Sequence, residues 1–345
     1  MKVYDPDGLR VFFGPNSQHF KEGTLKALSQ KFDYPIKAGR YDPIEFSDGE
    51  MKVQLLESNR GRTAFLVMST EVLGGDHRNL FWALQCIRDL KDAKTKPYLF
   101  APYMSYSRQD KKAERGTTIT FRLILDLLEA AGLEGLITMD LHAESEQGFV
   151  DVRKIASDRV YASYELIPAI QKILPPDNVF FISPDSGGMK RAKMYGDALG
   201  FPDNACFGKV RTGTNYVEQI RLLADSEFKA ALKGATVVMV DDMIDTFGTG
   251  KEGTFILAEL GVARIIFVVP HPVLSGKAPK NIRESAITEM VFTDSVYHSP
   301  KELALFGKKI QIVPLGEFIG DIIGNVYCNE SISHKFIDSK TFIKV

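Results

Sequence analysis

The most chemically loaded stretch is VVMVDDMIDTFGTG, residues 237–250. Strand-type apolar residues run into Asp241 and Asp242. Asp245, Thr246, Phe247, Gly248 and Thr249 then lead into helix-forming sequence. In open α/β sheets, ligands bind at the carboxyl ends of the strands. Two adjacent carboxylates there suit the vicinal hydroxyls of a sugar, or Mg2+ with its waters. The loop that follows offers backbone N–H groups, threonine hydroxyls and a helix N-terminus, which together hold a phosphate. The string is not a P-loop, because Gly250-Lys251 is followed by Glu252 and not by Ser or Thr. Asp241-Asp242 alone also suits a solvated helix cap; the whole string points to a sugar-phosphate site.

Five further segments carry polar chemistry next to strand-like runs. In ISPDSGGMKRA, residues 182–192, Gly187 and Gly188 let a polyanion approach the backbone at a helix start. Asp185 is placed there to hold a metal, so the segment reads as a pyrophosphate cradle. In YSRQDKK, residues 106–112, Arg108 can stack on a base or fork onto phosphate, and Gln109 can read a base edge. His142 follows a strand in MDLHAESEQGF, positioned to ligate a metal or pair with a phosphate. The FSDGE turn presents one aromatic, Phe46, and two carboxylates, Asp48 and Glu50. Lys209 and Arg211 lie in a polar, Gly-bearing stretch ahead of a helix, where two cations in a mobile loop would neutralise charge in phosphoryl transfer. Each of these five segments, taken alone, also suits an ordinary turn, a solvated charged face or a satisfied core residue.

The elements that must position these residues follow from hydrophobic patterning. Near-continuous apolar runs at Leu9–Phe13, Ala64–Met68, Lys96–Ala101, Leu136–Met139, Val179–Ile182, Thr236–Val240 and Ile265–Val269 read as buried parallel strands. Amphipathic stretches at Phe20–Phe32, Asn79–Lys91, Thr120–Ala131, Gly187–Leu199 and Lys251–Leu260 read as helices between them. This alternation gives an α/β fold with right-handed crossovers. The chain also echoes itself: a gap-free overlay of the segments from Gly61 and from Gly234 sets Met68 and Ser69 against Asp241 and Asp242. One strand–loop–helix unit has been used twice, with carboxylates only in the second copy.

The 345 residues predict two domains at roughly 150 residues each. A net charge of −1 argues against a nucleic-acid or membrane-surface partner. The apolar runs are too short to cross a bilayer, and the N-terminal MKVYDPDGLR lacks the apolar region of a signal peptide. Cys86, Cys206 and Cys328 are widely spaced and form no CxxC, which suits a reducing cytoplasm. A cytoplasmic protein without a zinc site is expected.

In order and spacing, these motifs resemble those of the ribose-phosphate pyrophosphokinases, which make phosphoribosyl pyrophosphate (PRPP). The resemblance covers about residues 8 to 336. It implies two tandem phosphoribosyltransferase-type (type I) α/β domains, each a parallel sheet flanked by helices. The expected boundaries are 1–160 for a degenerate ATP-contacting copy and 161–322 for the sugar-phosphate copy, with 323–345 packing back on the first. The implied reaction moves the β,γ-diphosphoryl group of Mg-ATP to the anomeric hydroxyl of ribose 5-phosphate. The resemblance assigns ATP contacts to Phe46, Asp48, Glu50, Arg108, Gln109 and His142, and metal ligation to His142 and Asp185. It makes Lys209 and Arg211 the catalytic cations and Asp241 and Asp242 the ribose-facing carboxylates. Asp245 to Thr249 becomes the 5-phosphate loop. Ser58 and Arg60, with Ser331 and Ser333, match an anion-binding regulatory set, and a homo-oligomer (dimer or hexamer) is implied.

The chain departs from the family where the acceptor phosphate would sit. Phe247 replaces a small residue, Gly250-Lys251-Glu252-Gly253 is more open and more charged, and His271-Pro272-Val273-Leu274-Ser275-Gly276 replaces a glycine-containing version. These changes raise an alternative acceptor with a substituted 5-phosphate, such as ADP-ribose. A PRPP-consuming transferase and a catalytically silent regulatory homologue are further readings. The first would not need FSDGE, RQDKK and His142 together, and the second should have lost Lys209, Arg211, His142 or Asp185.

Overall fold

The computed structural model describes residues 5–112, 114–212 and 217–333, with the side chains of 144, 210–212 and 217–218 outside that description. It divides into two compact units. The first takes the chain up to Tyr161, Ser295–Tyr297 and the segment from Pro314; the second takes Ala162–Asp294 and His298–Val313.

The first unit contains strands β1 (Leu9–Phe13), β2 (Tyr41–Glu45), β3 (Met51–Leu55), β4 (Thr63–Val67), β5 (Lys96–Ala101), β6 (Gly135–Met139) and β7 (Ala156–Val160). Its helices are α1 (Lys21–Phe32), α2 (Arg78–Asp92) and α3 (Thr120–Ala131). A five-stranded sheet has the order β1-β4-β5-β6-β7, and every pairing in it is parallel. β4 and β6 are mostly apolar and buried along nearly their whole length, as parallel strands inside an α/β fold are. Along α2, Leu80, Trp82, Ala83, Cys86, Ile87 and Leu90 are buried at helical spacing. Burying each large side chain of this kind contributes roughly 1.5–3 kcal/mol. β2 and β3 form a separate antiparallel hairpin. Its polar, Pro43-bearing sequence hid it from hydrophobic patterning.

The second unit contains α4 (Ser163–Gln171), β8 (Val179–Ser183), α5 (Met189–Leu199), β9 (Asn204–Thr212), β10 (Val217–Leu223), α6 (Ser226–Ala231), β11 (Thr236–Val240), β12 (Met243–Ile244), α7 (Gly248–Glu259), β13 (Arg264–Val269), β14 (His271–Pro272), α8 (Ala278–Glu284), β15 (Glu289–Thr293), α9 (Pro300–Ala304) and β16 (Lys309–Val313). Its sheet runs β10-β9-β8-β11-β13-β15-β16. The pairings are parallel except for the antiparallel β9–β10 ribbon. All seven expected strands and all five expected helices are present, with ends shifted by at most three residues.

The final helix, α10 (Gly316–Tyr327), lies against α1 within the first unit. The chain therefore returns to that unit at Pro314, ahead of the expected 323. The reason is a small-residue stripe. A Cβ on Gly316 would sit 3.1 Å from the Gly23 Cα, and one on Gly320 would sit 2.6 Å from the Thr24 carbonyl oxygen. The Thr24 hydroxyl donates to the Gly316 carbonyl at 3.0 Å. Cys86, Cys206 and Cys328 are buried and unbridged. No helix among the described residues is long and apolar enough to cross a membrane.

Candidate functional site

In the second unit, β8 and β11 are parallel neighbours with Ile182 opposite Met239, so the loops leaving their carboxyl ends emerge side by side. After β8, Asp185 Oδ1 accepts the Gly188 N–H at 2.9 Å and closes a tight turn. Glycine is needed at 188 because a Cβ there would meet Ser183 Oγ at 2.4 Å. The turn opens α5, whose Arg191 Nη1 lies 3.8 Å from both Asp241 Oδ1 and Asp242 Oδ1 after β11. Asp241 is 22% exposed and Asp242 8% in their side chains. Burial pushes the Asp241 carboxyl well above the usual range, and the Asp242 charge adds to this; Arg191 opposes both. One guanidinium thus faces two crowded carboxylates, and hydroxyl donors or a further cation would relieve them. Arg191 was visible in the sequence as a helix charge, but no spacing rule linked it to residues 50 positions on.

The Asp245–Thr249 turn leads into α7. Asp245 accepts a hydrogen bond from the Ser275 hydroxyl, and Asn281 Nδ2 donates to the Thr246 carbonyl at 2.8 Å. Neither brace was anticipated. Two features of this turn bear on the alternative acceptor. Phe247 is only 5% exposed and packs edge-on against Phe267, so its ring belongs to the core and offers no face to a ligand. Lys251 is bound by Glu284 at 2.6 Å. An acceptor with a substituted phosphate finds no support in these contacts.

In the first unit, FSDGE forms the tip of the β2–β3 hairpin. The Phe46 N–H donates to the Glu50 carbonyl at 2.8 Å, Asp48 Oδ1 accepts the Glu50 N–H at 3.0 Å, and Gly49 takes a φ of +91°. The Phe46 ring is left 49% exposed. Arg108 and Gln109 are exposed on a turn closed by the Gln109 N–H donating to the Tyr106 carbonyl at 2.8 Å. His77 and Arg78 serve these two elements. His77 Nδ1 lies 2.8 Å from the Tyr106 hydroxyl, and Arg78 Nη1 lies 3.3 Å from Glu45 Oε1, next to the hairpin tip. A cavity of about 370 Å3 lined by Pro43, Glu45, Asp76, Arg78 and Trp82 lies behind the hairpin. His142 is exposed after β6. Its loop is held from below, where buried Glu146 accepts the Ala143 N–H at 2.8 Å.

Lys209 is exposed on β9, a strand paired with β10, where a loop before a helix was expected. The alternation of side chains along an edge ribbon resembles a polar loop in sequence. The Arg211 side chain and Gly213 lie outside the described residues. The Ser58 carbonyl accepts from Arg62 at 2.5 Å, and Arg60 is exposed. The Ser331 and Ser333 hydroxyls lie 2.6 Å apart on the surface. Among the described residues, no three His, Cys, Asp or Glu side chains gather as a metal cage.

Comparison with known proteins makes the class specific. A family model described as the N-terminal domain of ribose phosphate pyrophosphokinase matches residues 9–132. Another, described as the phosphoribosyl synthetase-associated domain, matches residues 228–337. The ribose-phosphate pyrophosphokinase of Porphyromonas gingivalis is 35% identical over 94% of this chain and 96% of its own. That of Wolinella succinogenes is 36% identical over 96% and 99%. The crystal structure of phosphoribosylpyrophosphate synthetase from Mycobacterium smegmatis superposes with a TM-score of 0.80, at 27% identity, over 93% of this chain and 99% of that one. The fold is of the phosphoribosyltransferase type, an α/β architecture of parallel sheets flanked by helices. The chain belongs to the ribose-phosphate pyrophosphokinase family.

Proposed function

We propose that the protein transfers the β,γ-diphosphoryl group of Mg-ATP to the anomeric hydroxyl of ribose 5-phosphate, giving PRPP and AMP. The observation that carries this reading is the meeting of two loops after β8 and β11, with Arg191 across Asp241 and Asp242. The acidic pair accepts hydrogen bonds from the ribose hydroxyls and fixes the sugar ring. The Asp245–Thr249 turn and the start of α7 hold the 5-phosphate. The Ser183–Gly188 turn takes the diphosphate being transferred.

ATP falls to the first unit. The exposed Phe46 ring packs on adenine, Asp48 and Glu50 shape the turn that presents it, and Arg108 and Gln109 contact the nucleotide. His142 in the first unit and Asp185 in the second would each be a Mg2+ ligand; the metal, when bound, would neutralise the triphosphate and make its phosphorus more electrophilic. The anomeric oxygen bonds to the β-phosphorus and gives its proton to solvent, while the bond from Pβ to the bridging oxygen breaks and AMP departs with that oxygen. Lys209 and Arg211 offset the charge on the transferring group. Little covalent chemistry is asked of the protein; positioning and electrostatics supply the rate. Ser58, Arg60, Ser331 and Ser333 would bind a regulatory anion, and the working form would be a cytoplasmic homo-oligomer.

Purified protein with Mg-ATP tests the reading. AMP release with ribose 5-phosphate supports it, release only with ADP-ribose redirects it to the substituted acceptor, and no release with either favours a silent homologue.

A further inference from the structure

We propose that Phe247 is a positioning residue for the acceptor's 5-phosphate, its ring and Gly250 acting as one unit that holds the Asp245–Thr249 turn in shape. The inference rests on the reading of that turn as the phosphate loop. Phe247 has φ +59° and ψ +30°, the left-handed region that a bulky L-residue seldom enters. Such a conformation persists only where the surroundings over-determine it. Here the ring does so. It sits in the core of the second unit, with its centroid 4.9 Å from that of Phe267 and the planes at 90°. It also fills the space above Gly250, where an added Cβ would come within 2.2 Å of a ring carbon. Gly250 has no positive φ, so glycine is required there by the ring. Over Gly248, by contrast, a Cβ would meet nothing within 4 Å, which leaves an open approach for a ligand.

Polar braces complete the hold. Ser275 donates to Asp245, Asn281 to the Thr246 carbonyl at 2.8 Å, and the Leu274 N–H to the Ile244 carbonyl at 2.9 Å. The turn is therefore fixed before a ligand arrives. The bulky residue that breaks the family pattern serves as an anchor below the loop, and the acceptor side keeps its room.

The test is steady-state kinetics on the full chain, with ribose 5-phosphate and ATP varied separately, for wild type, Phe247→Leu, Phe247→Ala, Gly250→Ala and Phe247→Ala/Gly250→Ala. Thermal melts accompany each variant. Phe247→Ala is expected to raise the acceptor KM roughly tenfold or more while the ATP KM stays within about twofold. Phe247→Leu, which retains an apolar anchor, should recover most of the loss. Gly250→Ala should raise the acceptor KM with the ring still present, yet add little in the Phe247→Ala background, where the space is vacant. An unchanged acceptor KM in a folded Phe247→Ala protein overturns the proposal, as does additivity of the two substitutions. If Phe247→Ala fails to fold, Phe247→Leu and Gly250→Ala decide the matter by the same KM split. Wild type that releases no AMP with ribose 5-phosphate defeats the functional reading itself, a result distinct from active wild type with unaltered variants.

Discussion

The loop after β4 and the loop after β11 each leave a strand held between two parallel neighbours. β4 lies between β1 and β5, β11 lies between β8 and β13, and both sets of neighbours are parallel. Their polar groups differ in kind, hydroxyls after β4 and carboxyls after β11. After β4, Met68 is fully buried and Ser69 2% exposed, and the hydroxyls are consumed internally. Ser69 donates to the Ser295 carbonyl at 2.5 Å and accepts the Tyr103 N–H at 3.2 Å, while Thr70 accepts the Ser105 N–H at 2.9 Å. After β11, Asp241 and Asp242 sit side by side; Asp241 accepts the Asp242 N–H and Asp242 accepts the Met243 N–H, each at 2.9 Å, and Arg191 lies 3.8 Å from both. A strand-end loop whose hydroxyls are taken up by buried partners braces the fold. One that sets two carboxyls side by side, one of them pushed well above its usual range, suits a ligand's hydroxyls or a cation.

Substitution separates the two loops. Asp242→Ala should lower kcat/KM for ribose 5-phosphate by about two orders of magnitude or more, since it removes a charge aimed at the acceptor. Its melting temperature should hold or rise, because the repulsion against Asp241 goes with it. A large loss of stability with near-normal AMP release would put the acidic pair on the structural side. The reciprocal change, Ser69→Asp, buries an unpaired carboxylate and should cost about 3 kcal/mol in denaturant unfolding. Any AMP release recovered by Ser69→Asp in an Asp242→Ala protein would contradict the division.

Much of this contrast was legible in the sequence. Met68-Ser69 falls opposite Asp241-Asp242 from glycine to glycine, and each strand was a continuous apolar run. Contacts made by residues distant in sequence and ordinary in type stayed hidden. Arg191 faces the acidic pair because β8 and β11 are neighbours, and strand order is not written in either segment. The Ser275 and Asn281 braces come from a segment whose spacing resembles any loop. Phe247 showed itself as an oddity, but its size alone could not tell an anchor from an opened site; burial and φ decide that. The Lys209–Gly213 stretch was read as a loop because its charged, glycine-bearing sequence lacks the apolar run that marks a central strand.

The loop after β4 also holds a carboxyl out of its usual range. Burial pushes Glu71 up to about 7, against a weaker opposing hydrogen bond from Asn16. Asn16 Nδ2 donates to Oε1 at 2.6 Å, and Oε2 has no hydrogen-bond partner among the described residues. A carboxyl that binds its proton more tightly when folded stabilises the protein at acid pH. That contribution is complete below about 4.5 and fades as pH rises toward 7. Glu71→Gln should therefore stabilise the protein at pH 8, by on the order of 2–3 kcal/mol, and bring no gain near pH 4.5. Melting curves across that range check it; an equal shift at every pH would mean that Glu71 does not titrate in this window. AMP release should be unaffected, in contrast with either member of the acidic pair.

The smallest expected effect marks where the first unit is read as functional. Its β4 loop is closed, so its role falls to outer turns that are held in place and still exposed. Tyr106 takes a φ of +63° just before Arg108, and its hydroxyl meets His77 at 2.8 Å. An exposed hydrogen bond of this kind contributes about 0.5–1.5 kcal/mol. Tyr106→Phe should therefore raise the ATP KM by roughly two- to tenfold, with the acceptor KM unmoved. His77→Ala should do the same, and the double substitution should be no worse than either alone, because both remove one contact. Acceptor KM moving with Phe247 and ATP KM moving with Tyr106 would assign one substrate to each unit. An equal rise in both constants from Tyr106→Phe would instead mean that the turn matters only to the fold.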